Sequence, residues 1–188
     1  LGNNYKYLFN YAEAEKYFLK ALEQNSKYLN ALINYGNLKF ELNQSLEALE
    51  LLNKALLIDT KSVSVNINLA LVYQGIGEYD KAIKILKNIN TLNPKIVRAD
   101  KMMSSLINYK NNNDHLLSME QKLKELKLDD NQKIFLHFAI GKAYEDQNNY
   151  LKATEHIELG NNLKMSSSTY NLDREKKLFK NIKDLFIN

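Results

Sequence analysis

The sequence predicts an all-α fold, a solenoid of stacked helical pairs, and three observations lead there. Six Gly and one Pro among 188 residues are too few for the many tight turns of an all-β chain. The chain aligns with itself at a shift of 34 residues, which brings Gly2, Gly36 and Ala70 into register, then Ala14, Ala48 and Ala82, and then Phe18, Leu52 and Leu86. Within each repeat, small residues stand at fixed offsets between large ones. That pattern suits two helices whose backbones approach closely at the small positions. One such pair cannot bury its apolar faces alone, and stacking the pairs creates a continuous core.

The units follow in order. The first, 1–28, carries Leu1-Gly2, Tyr5, Tyr11, Ala14, Phe18 and Ala21, and reads as truncated by its first helical turns. The second, 29–62, keeps Leu32, Tyr35-Gly36, Ala48, Leu52 and Ala55. The third, 63–96, shows Leu69-Ala70, Tyr73, Gly77, Tyr79, Ala82, Leu86, Ile89 and Pro94. The fourth, 97–130, is degenerate. Ile96, Val97, Met102, Met103, Leu106 and Ile107 form one helical stripe, Asn111 to Asp114 a turn, and Leu116, Leu117, Met119, Leu123 and Leu126 a second stripe. Leu116 takes the slot where Ala is usual, so this pair is expected to pack at a different distance. The fifth, 134–165, restores the pattern with Ile140-Gly141, Tyr144, Tyr150, Ala153, Ile157 and Gly160. Its register is displaced by three residues, which are expected in the Lys127–Asn131 loop. Residues 166–188 read as a linker, Ser166 to Thr169, and a C-terminal helix from Leu172 to Ile187. That helix has Leu178, Phe179, Ile182, Leu185 and Phe186 on one face, and Asp173 as its cap.

The Leu-Gly-x-x-Tyr, Gly-x-Tyr, small–large–small and Pro positions resemble those of the tetratricopeptide repeat (TPR) family. Lys39 departs from the family's usual Tyr, and Thr60 from its usual Pro. The resemblance implies a right-handed superhelix of about five helix-turn-helix units, with the first helix of each unit lining a concave groove that takes a protein or peptide.

Composition removes other functions. Cysteine is absent, so disulfides, thiolate zinc sites, iron–sulfur clusters and cysteine nucleophiles are excluded. The net charge of +4 rests on 24 Lys and only two Arg, Arg98 and Arg174, and each half of the chain carries +2. Nucleic-acid binders concentrate charge on one face and use Arg for bidentate contacts, so no nucleic-acid partner is expected. Apolar runs such as Ala55-Leu56-Leu57-Ile58 fall far short of the ~20 residues that cross a bilayer, and no membrane partner is expected. A cytoplasmic location is the corresponding expectation, although the chain begins at Leu1 and not at Met.

No catalytic, metal or cofactor site is expected. His115, His137 and His156 lack the i, i+4 spacing of a helical metal pair, though His137 and His156 fall on the two helices of one unit and are close enough to meet. Gly75-Ile76-Gly77 follows no strand, so it reads as a turn and not as a phosphate loop. The acidic pairs Asp129-Asp130 and Glu145-Asp146 fall in turns or caps. Seven of the 12 Tyr (Tyr5, Tyr11, Tyr35, Tyr73, Tyr79, Tyr144 and Tyr150) occupy repeat core slots, so packing explains them.

The candidate binding face is the groove. Asn3, Asn34, Asn37, Asn68, Leu71 and Gln74 fall at or near it. Asn34 and Asn68 stand one period apart and form a candidate amide ladder, able to donate to and accept from the backbone of an extended peptide. The 26 Asn of the chain supply a purely compositional explanation beside it. A family branch binds the C-terminal carboxylates of chaperone tails. Asn3 and Asn34 match its Asn positions, but Ser64 and Asn68 stand where it has basic residues, so that ligand is not expected.

The stretch Leu136-His137-Phe138-Ala139-Ile140-Gly141-Lys142-Ala143-Tyr144-Glu145-Asp146, continued by Tyr150, Ala153, Glu155-His156 and Gly160-Asn161-Asn162-Leu163-Lys164, resembles the last repeat of bacterial proteins in which these repeats precede a sulfotransferase domain. Ile140 and Thr154 depart from that family's usual Leu and Phe. The resemblance implies a non-catalytic scaffold at the front of a larger sulfotransferase-like protein, whose Arg-Ser-Gly-Thr loop would follow Asn188. The alternative is a stand-alone structural repeat protein that self-associates through exposed repeat edges or assembles a complex.

Overall fold

A computed structural model describes residues 1–111, 113–167, 176, 177, 179–181 and 183. The described residues form no strand, and those up to 167 form ten helices: α1 (Gly2–Tyr7), α2 (Tyr11–Gln24), α3 (Leu29–Glu41), α4 (Ser45–Ile58), α5 (Val63–Gly75), α6 (Tyr79–Leu92), α7 (Val97–Ser104), α8 (Asp114–Glu125), α9 (Asp130–Asp146) and α10 (Tyr150–Ser167). Consecutive helices pack antiparallel as pairs α1/α2, α3/α4, α5/α6 and α9/α10. Each pair leans on the next through α2 on α3, α4 on α5 and α6 on α7. The architecture is a helical solenoid.

Four helical turns share one backbone solution. Phe9, Asn43, Gly77 and Asn148 all have positive φ, between 57° and 82°. The next amide in each case (Asn10, Gln44, Glu78, Asn149) reaches back to the carbonyl of Tyr5, Lys39, Tyr73 or Tyr144 at 2.8–2.9 Å. A left-handed residue followed by this return bond terminates a helix and reverses the chain. Gly and Asn take that conformation readily, and Phe9 does so at a steric cost.

The small residues set the helix separation. A Cβ on Gly36 would lie 2.9 Å from Leu52 Cγ and 3.5 Å from the Ala48 carbonyl, so α3 and α4 touch through this glycine. A Cβ on Gly141 would lie 3.0 Å from Ile157 Cγ1 and 3.3 Å from the Ala153 carbonyl, which is the same crossing in α9/α10. The opposing Ala14, Ala48 and Ala82 are fully buried, and Phe18, Leu52 and Leu86 fill the space beside them. Each large apolar side chain buried in this way contributes about 1.5–3 kcal/mol. The core continues along the array, from Phe18 with Tyr35 and Leu38, through Leu52 with Leu69, to Leu86 with Met103, and on to Met119 with Leu136 and Ile140.

Several expectations need correction. The fourth unit does not form two full helices: α7 has 8 residues and ends at Ser104, and residues 105–111 and 113 form no helix. The hydroxyls of Ser104 and Ser105 bond back to the Lys101 and Met102 carbonyls, competing with continuation of the helix. The segment is then pinned from α9. Asp146 accepts from the Tyr109 amide at 3.1 Å, and Lys142 Nζ donates to the Ile107 carbonyl at 2.7 Å. Tyr109 is thereby fully buried. α7 lies against α9 and α6, and not beside α8 as a hairpin partner.

The extra length of the last unit appears as helix: α9 has 17 residues against 13 in α3 and α5, opened by a capping box between Asp129 and Gln132. Tyr79 and Tyr150 are exposed, because each is the first residue of its helix and projects over the preceding turn. Ile157 is 37 % exposed where Leu52 and Leu86 are fully buried. Ser166 and Ser167 end α10 as helix, each hydroxyl bonded to a carbonyl three residues back, and do not form a linker. Leu172, Asp173, Leu178, Ile182, Leu185 and Phe186 lie outside the described residues, as do Ser168 and Thr169. Lys176, Lys177, Phe179, Lys180, Asn181 and Lys183 are helical.

Candidate functional site

The candidate groove residues come from three first helices. Asn3 lies on α1 and is exposed; Asn34 and Asn37 lie on α3, and Asn68, Leu71 and Gln74 on α5, all half-buried. Asn3 and Asn34 share the wall of one cavity of about 390 Å³, with Tyr17, Lys20, Gln24 and Tyr28 around them. Leu71 and Gln74 share another, of about 580 Å³, with Phe40, Gly75, Tyr79, Ser105 and Leu106. Asn37 and Asn68 line neither. Among the described residues none of the four Asn side chains, nor that of Gln74, hydrogen-bonds within the chain, so their donors and acceptors face solvent. Phe40 lies across Gly75, where a Cβ would meet its ring at 2.4 Å, so Gly75 gives this aromatic its seat. Lys6 and Glu41 pair at 2.7 Å at the ends of α1 and α3.

Two ionic clusters around buried residues carry no signature in the sequence. Lys39, in the slot where the repeat usually carries Tyr, is 6 % exposed. Its Nζ lies 2.7 Å from Glu15 and 2.8 Å from Glu47, bridging α2, α3 and α4. Burial opposes its charge, but the two carboxylates outweigh burial and hold the ammonium above the usual lysine range. The hydrogen bond from Lys39, followed by that from Tyr35, lowers the Glu15 carboxyl. Burial and the Glu15 carboxylate push Tyr35 up to about 12.

The second cluster centres on Asp100, fully buried on α7. Lys122 Nζ contacts both of its oxygens, at 2.8 and 2.7 Å, and Asn90 donates to it at 2.7 Å. His115 Nε2 lies 3.1 Å from the same carboxylate, and His115 Nδ1 lies 2.5 Å from the Tyr109 hydroxyl. A carboxylate only accepts, so His115 Nε2 carries a proton toward Asp100. Burial, followed by the Asp100 and Asp146 charges, raises Tyr109 above the ordinary phenol range. The chain Tyr109–His115–Asp100 has a nucleophile-and-base order, but the hydroxyl is sealed from solvent and no substrate can reach it. The cluster is structural. It fastens α7 to α6 and α8.

In the last pair, His137 Nδ1 and His156 Nδ1 meet at 3.1 Å across α9 and α10. Among the described residues no three His, Asp or Glu side chains gather to hold a metal ion. Asp146, read as a turn acid, binds Lys142 and the Tyr109 amide. Asp129 caps α9. Gly77 takes its expected turn at φ 82°. Among the described residues no helix is long and apolar enough to cross a membrane.

The tetratricopeptide repeat family model matches residues 1–28, 29–62 and 63–96. No curated protein matches the chain. Among solved structures, MamA is 19 % identical, with a TM-score of 0.68 over 90 % of this chain and 98 % of its own. The nearly identical TPR-like repeats of a putative kinesin light chain from Podosopora anserina are 17 % identical, with a TM-score of 0.67 over 90 % and 94 %. A tetratricopeptide repeat protein from Parabacteroides merdae is 20 % identical, with a TM-score of 0.60 over 95 % and 67 %. At these identities the likeness concerns the fold.

Proposed function

Since this chain belongs to the tetratricopeptide repeat family, we propose that it is a non-catalytic scaffold holding an extended segment of a protein partner along its first helices. The observation that carries the reading is the set of unengaged amides on α3 and α5. Asn34, Asn37, Asn68 and Gln74 are half-buried and positioned on rigid helices, yet spend no hydrogen bond within the described chain. A folded core satisfies its polar groups internally, whereas a peptide-binding face keeps donors and acceptors available. Carbonyl and NH₂ groups together serve both polarities of a peptide backbone, which favours recognition by main chain over recognition by charge. Replacing the Asn34 and Asn68 amides together tests the reading, provided the fold stays intact.

The resemblance of the Leu136–Lys164 stretch to the repeat that precedes sulfotransferase domains supports a finer reading, a scaffold that presents its partner to an enzyme on the same polypeptide. The expected result is an Arg-Ser-Gly-Thr segment soon after Asn188 in the continued coding sequence; a stop codon directly after Asn188 contradicts it.

A further inference from the structure

The last helical pair is joined by a contact that tolerates one excess proton and not two. His137 on α9 and His156 on α10 are half-buried, with ring centroids 5.2 Å apart and the two Nδ1 atoms only 3.1 Å apart. At that distance one Nδ1 must donate and the other must accept. We propose that this imidazole pair is a pH-sensitive clasp that holds α10 on α9 at neutral pH and releases it on acidification. The proton inventory defines the switch. In the neutral pair one ring carries its hydrogen on Nδ1 and the other on Nε2. A first added proton enters the free Nε2 of the donor ring and leaves the Nδ1–H···Nδ1 bond in place. A second added proton has only the acceptor Nδ1 to occupy, and two N–H groups then face each other at 3.1 Å.

The surroundings set the order and the pH range. Burial lowers His137, helped by the His156 ring and by Lys133 on α9. Burial also lowers His156, opposed by Glu155 on α10 and Glu120 on α8, and reinforced by Lys152 on α10. Lys124 and Glu125 of α8 share with His156 the wall of a cavity of about 470 Å³. The Tyr144 ring of α9 lies tilted against His156, with centroids 5.9 Å apart, and its hydroxyl binds Glu120 and Lys152. The acids beside His156 make it the better seat for the first proton. Folded-state affinities below the unfolded value of ~6.5 give stability that is full above that pH and falls as pH drops beneath it, with release at the second protonation. Beyond the clasp α10 closes on α9 at Gly160, where an added Cβ would lie 3.4 Å from His137 Cβ, so displacing the rings disturbs the crossing.

The test is amide hydrogen exchange on the intact chain between pH 7.5 and 5, corrected for intrinsic rates, with imidazole NMR titration alongside. The expected result is a loss of protection in α10 below pH 6.5, about tenfold for each unit by which the pair is depressed, while α3–α6 keep theirs. In His156→Gln and in His137→Gln the pH dependence of α10 shrinks to that of the one buried imidazole left, whereas His115→Gln leaves it in place. Two histidines titrating independently near 6.5 in the wild-type chain, or α10 protection unchanged by pH, overturns the proposal. So does the same loss of protection in either Gln variant. Because the wild-type titration alone decides, a variant that fails to fold does not shield the proposal.

Discussion

Asp100→Ala is expected to destabilise the chain by about 3–5 kcal/mol, the usual result of removing one member of a buried ion pair. Lys122 is 7 % exposed and places both of its close carboxylate contacts on Asp100. Truncation leaves an ammonium in the core, strips Asn90 of its acceptor and removes the group that fixes the His115 ring. The damage falls on the fourth unit, where no repeat turn supports the chain and this cluster fastens α7 to α6 and α8. Thermal or denaturant unfolding measures it. A loss below 1 kcal/mol shows that the charge escapes to solvent and that the cluster does not hold the unit. A second variant separates burial from pairing. Asp100→Ala combined with Lys122→Met removes both charges, and much of the stability is expected to return, because an apolar pair of similar volume needs no desolvation.

Gly36→Val is expected to cost about 1–3 kcal/mol through overpacking. The new Cβ would stand 2.9 Å from Leu52 Cγ, and Leu52 is fully buried. Relief requires α3 and α4 to separate, which loosens the seats of Ala48 and Leu52 together. Gly77→Val changes no packing, since nothing lies within 4 Å of its Cβ position, and its cost arises from φ 82° alone. Comparing the two by unfolding distinguishes a glycine needed for close approach from one needed for conformation. A Gly36→Val variant as stable as the wild-type chain contradicts the assignment of Gly36 to the helix crossing.

Much of this fold was legible because the solenoid is built from local pairs. Gly36 against Ala48 and Leu52, or Gly141 against Ala153 and Ile157, involves residues on adjacent helices, and the 34-residue period repeats the crossing in the sequence. The left-handed turn was legible at Gly77 and hidden at Phe9, whose conformation is imposed by the two helices it joins. The end of α7 is not legible in the sequence, because the apolar stripe continues through Ile107 while the helix stops at Ser104. The groups that pin that segment, Lys142 and Asp146, lie 35–37 residues away. Lys39 and Asp100 stand at positions where a charge reads as surface, and only the folded chain brings Glu15, Glu47, Lys122 and His115 to them. For the candidate site, spacing placed six residues on three first helices, and the structure groups them as Asn3 with Asn34 and Leu71 with Gln74. What they hold is encoded in a partner's sequence, beyond the reach of period or composition.

The scaffold reading comes down to whether the α3 and α5 amides contact a ligand. Peptides selected on the wild-type chain from an unbiased library supply the probe, and their affinity for the Asn34→Ala/Asn68→Ala double variant is the measurement. Two lost side-chain-to-backbone hydrogen bonds, at about 0.5–1.5 kcal/mol each, weaken binding by roughly tenfold or more, with unfolding of the double variant unchanged. Selected peptides that bind the double variant as tightly as the wild-type chain contradict it.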